Sequence, residues 1–256
     1  MANSKSWDKI FTDVGGHEHN FDEKPLKLSA KQIKMSCQNF TETNEKEVRI
    51  LCKQDTREDR PVIFIQKNLF LLPEKNGLYL IIKGEGYIDI PEITTETTIY
   101  QSKLDFELET SKIGNSEMQH LDFAYASSLI RSFMDDPTLV LTIRGRKYTP
   151  NFKFRVGNHV IESESVQTEV DAGYEGRDKV VLIEAKNGGT KNIIIRQLYY
   201  PFKQWDTQTT KKVYTLFFEK SRSEKNVYSI WMYEFTDSND YNSVQLVKAK
   251  KYKIKT

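Results

Sequence analysis

Apolar residues recur at helical spacing in one long segment of the second half of the chain, from Glu117 to Met134. Large apolar side chains follow one another there at intervals of four residues, at Leu121, Tyr125, Leu129 and Phe133. That spacing places them on one face of a single α-helix. Short apolar runs come after it and predict strands at 139–143 and 152–156, a hairpin between 166 and 186, a helix at 193–205, and strands at 213–218, 228–235 and 244–254.

This order of elements predicts the fold class of the second half. A helix, strands, a hairpin, a helix and a strand are typical of an α/β or α+β domain, with a mixed sheet flanked by helices. We expect this domain to occupy residues 111–256.

The first half predicts short helices followed by a hairpin. Ser29 and Gln32 have capping-box spacing, which predicts the start of a helix. Asn44 is a candidate cap for a second helix. The apolar runs 69–72 and 79–82 flank a turn that contains Pro and Gly, which predicts a hairpin. Short helices and a hairpin together predict a winged-helix-like unit.

The segments around this unit complete the predicted organisation. Residues 1–24 are polar, which predicts a loose N-terminal arm. Residues 88–116 are rich in Thr and Glu and predict an extended connector. We therefore expect an arm at 1–24, a DNA-recognition unit with its connector at 25–110, and the second-half domain at 111–256.

Basic side chains supply the candidate DNA contacts, because Lys and Arg bind phosphates and base edges. In the first half the same residues would equally suit the charged solvent face of a structural subdomain. In the second half a glycine lies between two arginines, which suits close approach to a phosphate or guanine; ordinary surface arginines are the alternative. The candidates are Lys31, Lys34, Arg49, Lys53, Arg57, Arg60, Arg144 and Arg146.

Acidic and basic residues meet in the hairpin predicted between residues 166 and 186. Alternate side chains of a strand share a face, so Glu169 and Asp171 share one face, and Glu184 and Lys186 share a face of the next strand. A turn at the centre of the intervening polar segment would place Asp171 opposite Glu184. It would also place Glu169 opposite Lys186.

Paired carboxylates beside a lysine indicate metal-assisted hydrolysis of a phosphodiester. Two carboxylates held together repel each other unless a cation joins them. Mg²⁺ binds one or two carboxylates together with waters and phosphate oxygens, so Asp171 and Glu184 are candidate ligands. Lys186 could position the water or stabilise the reacting phosphate. Glu169 is either a ligand of a second metal or the salt-bridge partner of Lys186. A solvated hairpin with exposed ion pairs is the alternative to the whole site.

The order Asp171, Glu184-x-Lys186 and then a helix with Gln197 resembles the PD-(D/E)xK nuclease superfamily. The segments VQTEVDAGYEG, VVLIEAKNG and IRQLYYP are similar to bacterial type II restriction endonucleases of that superfamily. Val170 stands where the motif name has proline. The resemblance implies an α-β-β-β-α-β core and Mg²⁺-dependent cleavage of double-stranded DNA. It implies that Asp171 and Glu184 bind the metal and that Lys186 is the catalytic lysine. Gln197 would orient Lys186, the water or a phosphate, or would be a polar residue on a solvated helix face.

Such an enzyme would act in the bacterial cytoplasm beside a cognate DNA methyltransferase, which shares its system but not a physical complex. A palindromic site favours a homodimer, although some small enzymes of this type cut as monomers. A repair or recombination nuclease on the same core remains an alternative function. A non-catalytic winged-helix DNA-binding regulator is the alternative from another class.

Composition narrows these expectations only slightly. The net charge of +2 excludes a histone-like polycation, so DNA binding would have to rest on locally segregated basic residues. Two cysteines, Cys37 and Cys52, do not make a zinc quartet and suit a reducing compartment. No apolar run approaches ~18 residues, which predicts no membrane span, and the N-terminus lacks the apolar core of a signal peptide.

Overall fold

Short helices packed on a small antiparallel sheet make up the first unit of the chain. The computed structural model describes residues 3–110 and 113–255. The elements of this unit are α1 (Ser4–Val14), β1 (Leu26–Ser29), α2 (Ala30–Ser36), α3 (Thr43–Lys46), α4 (Val48–Leu51), a 3₁₀ turn (Arg57–Asp59), α5 (Val62–Gln66), β2 (Leu69–Lys75) and β3 (Leu78–Lys83). Its sheet has the order β1-β3-β2, and both pairings are antiparallel.

The N-terminal helix α1 belongs to the core of this unit. Trp7, Ile10 and Phe11 are fully buried, and their spacing of three and four places them on one face of the helix. The rings of Trp7 and Phe64 pack edge to face, with 4.7 Å between centroids. The prediction of a loose arm at 1–24 is therefore wrong, because a short apolar stripe anchors a segment that is polar on average.

Truncation of Trp7 to alanine is expected to lower the free energy of unfolding by about 3–5 kcal/mol, since it empties a fully buried site. The indole also donates a 3.2 Å hydrogen bond to the Leu51 carbonyl. Urea unfolding would measure the loss. Lys9→Ala, on the exposed side of the same helix, is the control and should change stability by less than about 0.5 kcal/mol. Equal losses in the two variants would contradict the assignment of α1 to the core.

In the first half the structure confirms the predicted capping box and hairpin and corrects the predicted helix cap at Asn44. The Ser29 side chain accepts from Gln32 N at 3.2 Å, and Gln32 Oε1 accepts from Ser29 N at 2.9 Å, which is the predicted capping box. The hairpin is present as β2 and β3. Asn44 does not cap a helix, because it lies inside α3, which begins after Glu42 and ends at Lys46.

A mixed sheet of seven strands organises the rest of the chain. The elements are β4 (Tyr87–Asp89), β5 (Thr98–Gln101), α6 (Glu117–Ala126), α7 (Leu129–Phe133), β6 (Val140–Tyr148), β7 (Phe152–Val156), β8 (His159–Ser163), β9 (Gln167–Glu175), β10 (Lys179–Asn187), β11 (Asn192–Ile194), α8 (Arg196–Asp206), β12 (Lys212–Lys220), β13 (Val227–Phe235) and β14 (Val244–Lys255). The strand order is β5-β14-β13-β12-β10-β9-β6. β10 runs parallel to β12 and β14 parallel to β5, while the other neighbours are antiparallel. The mixed α+β fold with helices flanking a large mixed sheet is thus as the sequence predicts.

Separate apolar cores on the two faces of this sheet fix the directions of the β10 side chains. Val180 and Leu182 pack in the core that contains Tyr199 and Tyr200 of α8. Val181 and Ile183 face the opposite core, which contains the apolar residues of α6 and α7. Because alternate residues share a face, the next even-numbered residues of β10 point toward α8. None of the helices in the described ranges is both long and apolar enough to cross a membrane.

The structure corrects the predictions for residues 88–134. Instead of forming only a connector, residues 88–116 include β5, which joins the edge of the large sheet alongside the end of β14. The second-half domain therefore begins before residue 111. The single helix predicted from Glu117 to Met134 is divided into α6 and α7, because Ser128 adopts a left-handed conformation with φ of 63° that interrupts the helix.

Candidate functional site

The hairpin of β9 and β10 brings two acidic residues to the same level of the sheet. Ile183 pairs with Ala172, in the register that the sequence predicts, and one further step places Asp171 level with Glu184. Asp171 Oδ2 accepts a 2.8 Å hydrogen bond from Ala185 N. This bond holds the carboxyl group of Asp171 against the strand that carries Glu184.

A β-bulge in β9 lies beside Asp171. Val170 of β9 pairs with Gly145 of β6, and the next pair is Gly173 with Ile143. Between these two pairs β9 advances by three residues and β6 by only two. The extra residue interrupts the alternation of faces. The prediction that Glu169 and Asp171 share a face therefore fails at this point.

Glu184 is the most enclosed charged group of the site, with 11% of its side chain exposed. Its Oε1 accepts hydrogen bonds from Lys186 Nζ and, at 2.9 Å, from Gln197 Nε2. Burial raises the pKa of Glu184 to about 7; the Lys186 ammonium acts against this rise and Asp171 adds to it. Burial also raises the pKa of Asp171. A cation between the two acids would favour their ionised forms.

Lys186 remains an ammonium in this environment. Burial acts to lower its pKa, but the adjacent Glu184 carboxylate outweighs burial, and the pKa of Lys186 lies above its ordinary value. The side chain is 29% exposed. A permanent positive charge is thus reachable by an anionic substrate.

Helix α8 holds Gln197 against Glu184. Tyr199 and Tyr200 are buried in the same apolar core as Val180 and Leu182 of β10. Tyr200 OH also donates to the Pro73 carbonyl at 2.8 Å. The helix continues through Pro201. Gln197 Oε1 is buried and has no hydrogen-bond partner within residues 3–110 and 113–255. Gln197 therefore keeps one acceptor unused beside the acidic pair.

A cavity of about 310 Å³ joins these side chains. Asp171, Glu184, Lys186 and Gln197 line it together, as the sequence predicts for the catalytic residues. The first unit contributes to the same cavity through Lys53 and Asp55. Asp55 was not identified from the sequence, because a single acid after a short helix has no motif around it.

The donor set fits a hard divalent cation such as Mg²⁺. Within the described parts of the chain, no group of three or more His, Cys, Asp or Glu side chains is arranged to hold a metal ion. Asp171 and Glu184 supply two carboxylates, and Mg²⁺ commonly takes one or two carboxylates with waters and substrate phosphates completing its shell. The unused Gln197 Oε1 could accept from a metal-bound water.

Glu169 lines the same cavity as the acidic pair, whereas the two arginines around Gly145 do not line it. Glu169 accepts from Arg146 Nε at 3.4 Å instead of pairing with Lys186, which corrects the predicted salt bridge. Arg144 binds both carboxylate oxygens of Asp122 in α6. Both arginines therefore have a carboxylate partner within the protein, and Arg146 is also largely exposed.

The candidate DNA contacts of the first unit fall into two groups. Arg57 pairs with Asp89 and, at 3.5 Å, with Glu85. Arg60 donates to the Leu69 carbonyl at 3.3 Å and lies over the Tyr87 ring. These two arginines thus join the first unit to the second. Exposed side chains make up the other group: Lys31, Lys34, Arg49 and Lys53.

Arg222 is a basic residue near the site that was not identified from the sequence. It is exposed and donates to the Asn187 carbonyl at 3.3 Å, one residue after Lys186. It lies over two glycines, because a Cβ on Gly188 would approach its Cγ to 3.0 Å and one on Gly189 would lie 3.6 Å from its Cζ. The Gly-Gly pair therefore makes room for a guanidinium at the end of β10.

Comparison with known proteins finds two family models that match different parts of the chain. Residues 82–253 match the model of a domain of unknown function, DUF6997. The chain belongs to the DUF6997 family. Residues 4–81 match a second domain of unknown function, DUF6996. The DUF6997 part carries the four predicted catalytic residues, and Lys53 and Asp55 come from the DUF6996 part.

No curated protein matches the chain at a significant level. A solved structure described as "Crystal structure of SSO0001" is 12% identical to it, over 49% of this chain and 52% of that one, with a TM-score of 0.24. The chain thus spans about half the length of that protein.

Proposed function

We propose that this DUF6997 protein is a Mg²⁺-dependent type II restriction endonuclease, which hydrolyses phosphodiester bonds in double-stranded DNA at a specific sequence. The proposal rests on the meeting of two carboxylates, an ammonium and an amide in one cavity, on β9, β10 and α8. Asp171, Glu184, Lys186 and Gln197 supply these groups in the order that resembles the restriction endonucleases. A solvated hairpin would not bury Glu184 or raise its pKa to about 7.

Each side chain has a role that follows from its position. Asp171 and Glu184 would hold the metal, which when bound supplies an activated water and neutralises charge on the phosphate. Lys186 places its ammonium beside the reacting phosphate, where it stabilises the added negative charge. Gln197 orients Glu184 through its 2.9 Å hydrogen bond and offers its free Oε1 to the attacking water.

The topology supports this proposal. Helices α6 and α7, strands β6, β9 and β10, helix α8 and strand β12 follow the α-β-β-β-α-β order of the nuclease superfamily, with β7 and β8 inserted after the first strand. In the first unit, helices precede a hairpin, which suits a winged-helix role in DNA recognition. Its exposed Lys31, Lys34, Arg49 and Lys53 would contact the DNA backbone or bases.

Digestion of a defined plasmid with Mg²⁺ and with Ca²⁺, followed by run-off sequencing of the ends, tests the function. A restriction enzyme gives a few discrete fragments with Mg²⁺, each ending at the same sequence. Nicking that depends on DNA structure would instead support the repair or recombination nuclease. Specific DNA binding without cleavage under any metal would support the non-catalytic regulator.

The proposed activity carries consequences for partners. An enzyme that cuts a short sequence also threatens its host's DNA, so a cognate methyltransferase in the bacterial cytoplasm must protect those sites. A palindromic recognition sequence would be matched by a homodimer. Sedimentation of the protein with and without cognate DNA would distinguish a dimer from a monomer.

Arg222 is expected to contact a phosphate beside the cleaved bond. Arg222→Gln should weaken DNA binding and reduce the dependence of log K on log salt by about 0.9, the value for one phosphate contact. Fluorescence anisotropy with Ca²⁺ at several salt concentrations would measure both. Arg177→Gln is the matched control, because Arg177 is also exposed but lies in the turn at the other end of the hairpin. The same slope in both variants would contradict the contact.

A further inference from the structure

The first unit docks directly on the segment that leads into α8. Asp55 O accepts from Ile194 N at 2.8 Å. Arg57 N donates to Asn192 Oδ1 at 2.7 Å, and Asn192 Nδ2 donates to Glu58. These bonds join residues more than 130 positions apart in the chain. The DUF6996 part is thus built onto the base of the helix that carries Gln197.

We infer that Asp55 is a positioning residue, which holds Arg196 away from the acidic pair so that Gln197 and Lys186 alone contact Glu184. This inference rests on the proposed nuclease function and adds that the two families form one composite site.

The contacts of Arg196 carry the inference. Arg196 NH2 lies 3.7 Å from Asp55 Oδ1, and no other ion pair holds Arg196 in the part of the chain that the structure describes. Asp55 is 19% and Arg196 26% exposed. The Nε of Arg196 is buried without a hydrogen-bond partner. Asp55 is therefore the carboxylate that confines this guanidinium.

The position of Arg196 explains why confinement matters. Arg196 precedes Gln197 at the start of α8 and lines the same cavity as Asp171 and Glu184. A guanidinium forms strong bidentate pairs with carboxylates. Without Asp55, Arg196 would be free to pair with Glu184 or Asp171, where it would displace the Gln197 amide and compete with a metal ion.

Lys53 connects the pair of Asp55 and Arg196 to DNA binding by the first unit. Its Nζ lies 3.7 Å from Asp55 Oδ2, and its side chain is 71% exposed. A DNA phosphate that binds Lys53 would remove Lys53 from Asp55. Asp55 would then pair with Arg196 without competition from Lys53. Binding of DNA by the first unit would thereby strengthen the restraint on Arg196 next to the catalytic residues.

Comparison of Asp55→Asn, Asp55→Glu and the double variant Asp55→Asn/Arg196→Gln with the parent, all as full chains, tests the inference. We expect Asp55→Asn to lower the single-turnover cleavage rate at least tenfold and to change DNA affinity in Ca²⁺ by less than about twofold. Asp55→Glu should recover much of the rate. The double variant should be faster than Asp55→Asn, because the freed guanidinium is gone. A role in folding or in direct metal binding predicts no such rescue.

A second readout does not depend on cleavage. In nitrogen–proton correlation spectra without metal or DNA, the Gln197 side-chain amide should shift in Asp55→Asn and return toward its parental position in the double variant. An unchanged Gln197 signal in Asp55→Asn, or a double variant slower than Asp55→Asn, would overturn the inference. A parent that cleaves no DNA would contradict the proposed nuclease function, and the Gln197 signal would still decide whether Asp55 positions Arg196.

Discussion

Asp171→Asn and Glu184→Gln are each expected to abolish Mg²⁺-dependent cleavage while DNA binding in Ca²⁺ stays equal or becomes tighter. Each change removes a candidate metal ligand and a negative charge that would face the phosphates. Asparagine can still accept the 2.8 Å hydrogen bond from Ala185 N, so Asp171→Asn should remain folded. We expect residual cleavage below about one thousandth of the parental rate, which corresponds to a loss of more than about 4 kcal/mol in transition-state stabilisation.

Glu169→Gln is the matched control for these variants. Glu169 lies in the same strand as Asp171 and lines the same cavity, but it is exposed and paired with Arg146. Its cleavage rate should remain within about threefold of the parent, because exposed ion pairs contribute little. Near-normal cleavage by Asp171→Asn or Glu184→Gln would exclude the metal-site assignment. Loss of cleavage in Glu169→Gln as well would indicate that a second metal is held on the other side of the bulge.

Lys186→Met is expected to lower the single-turnover cleavage rate by about 100-fold to 1000-fold, the usual cost of removing one preorganised charge at a transition state. DNA affinity should change little, since the basic surface supplies most of it. Lys186→Arg should rescue poorly, because the planar guanidinium is larger and does not place its charge where the compact ammonium lies. Rapid-quench measurement at saturating enzyme gives the rate of the chemical step.

A structural role for Lys186 makes a different prediction. Lys186 could serve only to pair with Glu184 and stabilise β10. Its removal would then lower thermal stability without a matching loss of the chemical step. Lys179→Met provides the comparison, because Lys179 lies in the same strand, is 19% exposed and pairs with Asp136 outside the cavity. A Lys186→Met enzyme within about tenfold of the parental rate, a difference of ~1.4 kcal/mol, would favour the structural role.

Local sequence patterns determined much of the candidate site. Strand alternation and the polar turn predicted the register that places Asp171 level with Glu184. Apolar runs predicted the hairpin strand that carries Glu184, and the burial of this acid is what raises its pKa. Helical spacing after the glycines predicted the helix that carries Gln197. These features succeed because they depend on residues close together in the chain.

Tertiary structure decided the features that depend on distant residues. The bulge in β9 interrupts the alternation between Glu169 and Asp171, and Glu169 pairs with Arg146, although strand alternation predicts that it faces Lys186. Arg57 and Arg144 have the sequence context of DNA contacts, but Asp89 and Asp122 bind them within the protein.

The sequence by itself determined a mixed sheet with flanking helices, the hairpin register and the four residues that meet in the cavity, Asp171, Glu184, Lys186 and Gln197. Only the tertiary structure showed that α1 is part of the core and that Asp55 reaches the cavity. The physical reason is the same in both cases. Burial of Trp7 against Phe64 and the approach of Asp55 to Arg196 join segments that are far apart in the chain. No local repeat or spacing in the sequence indicates such contacts, because they form only when distant segments of the chain pack together.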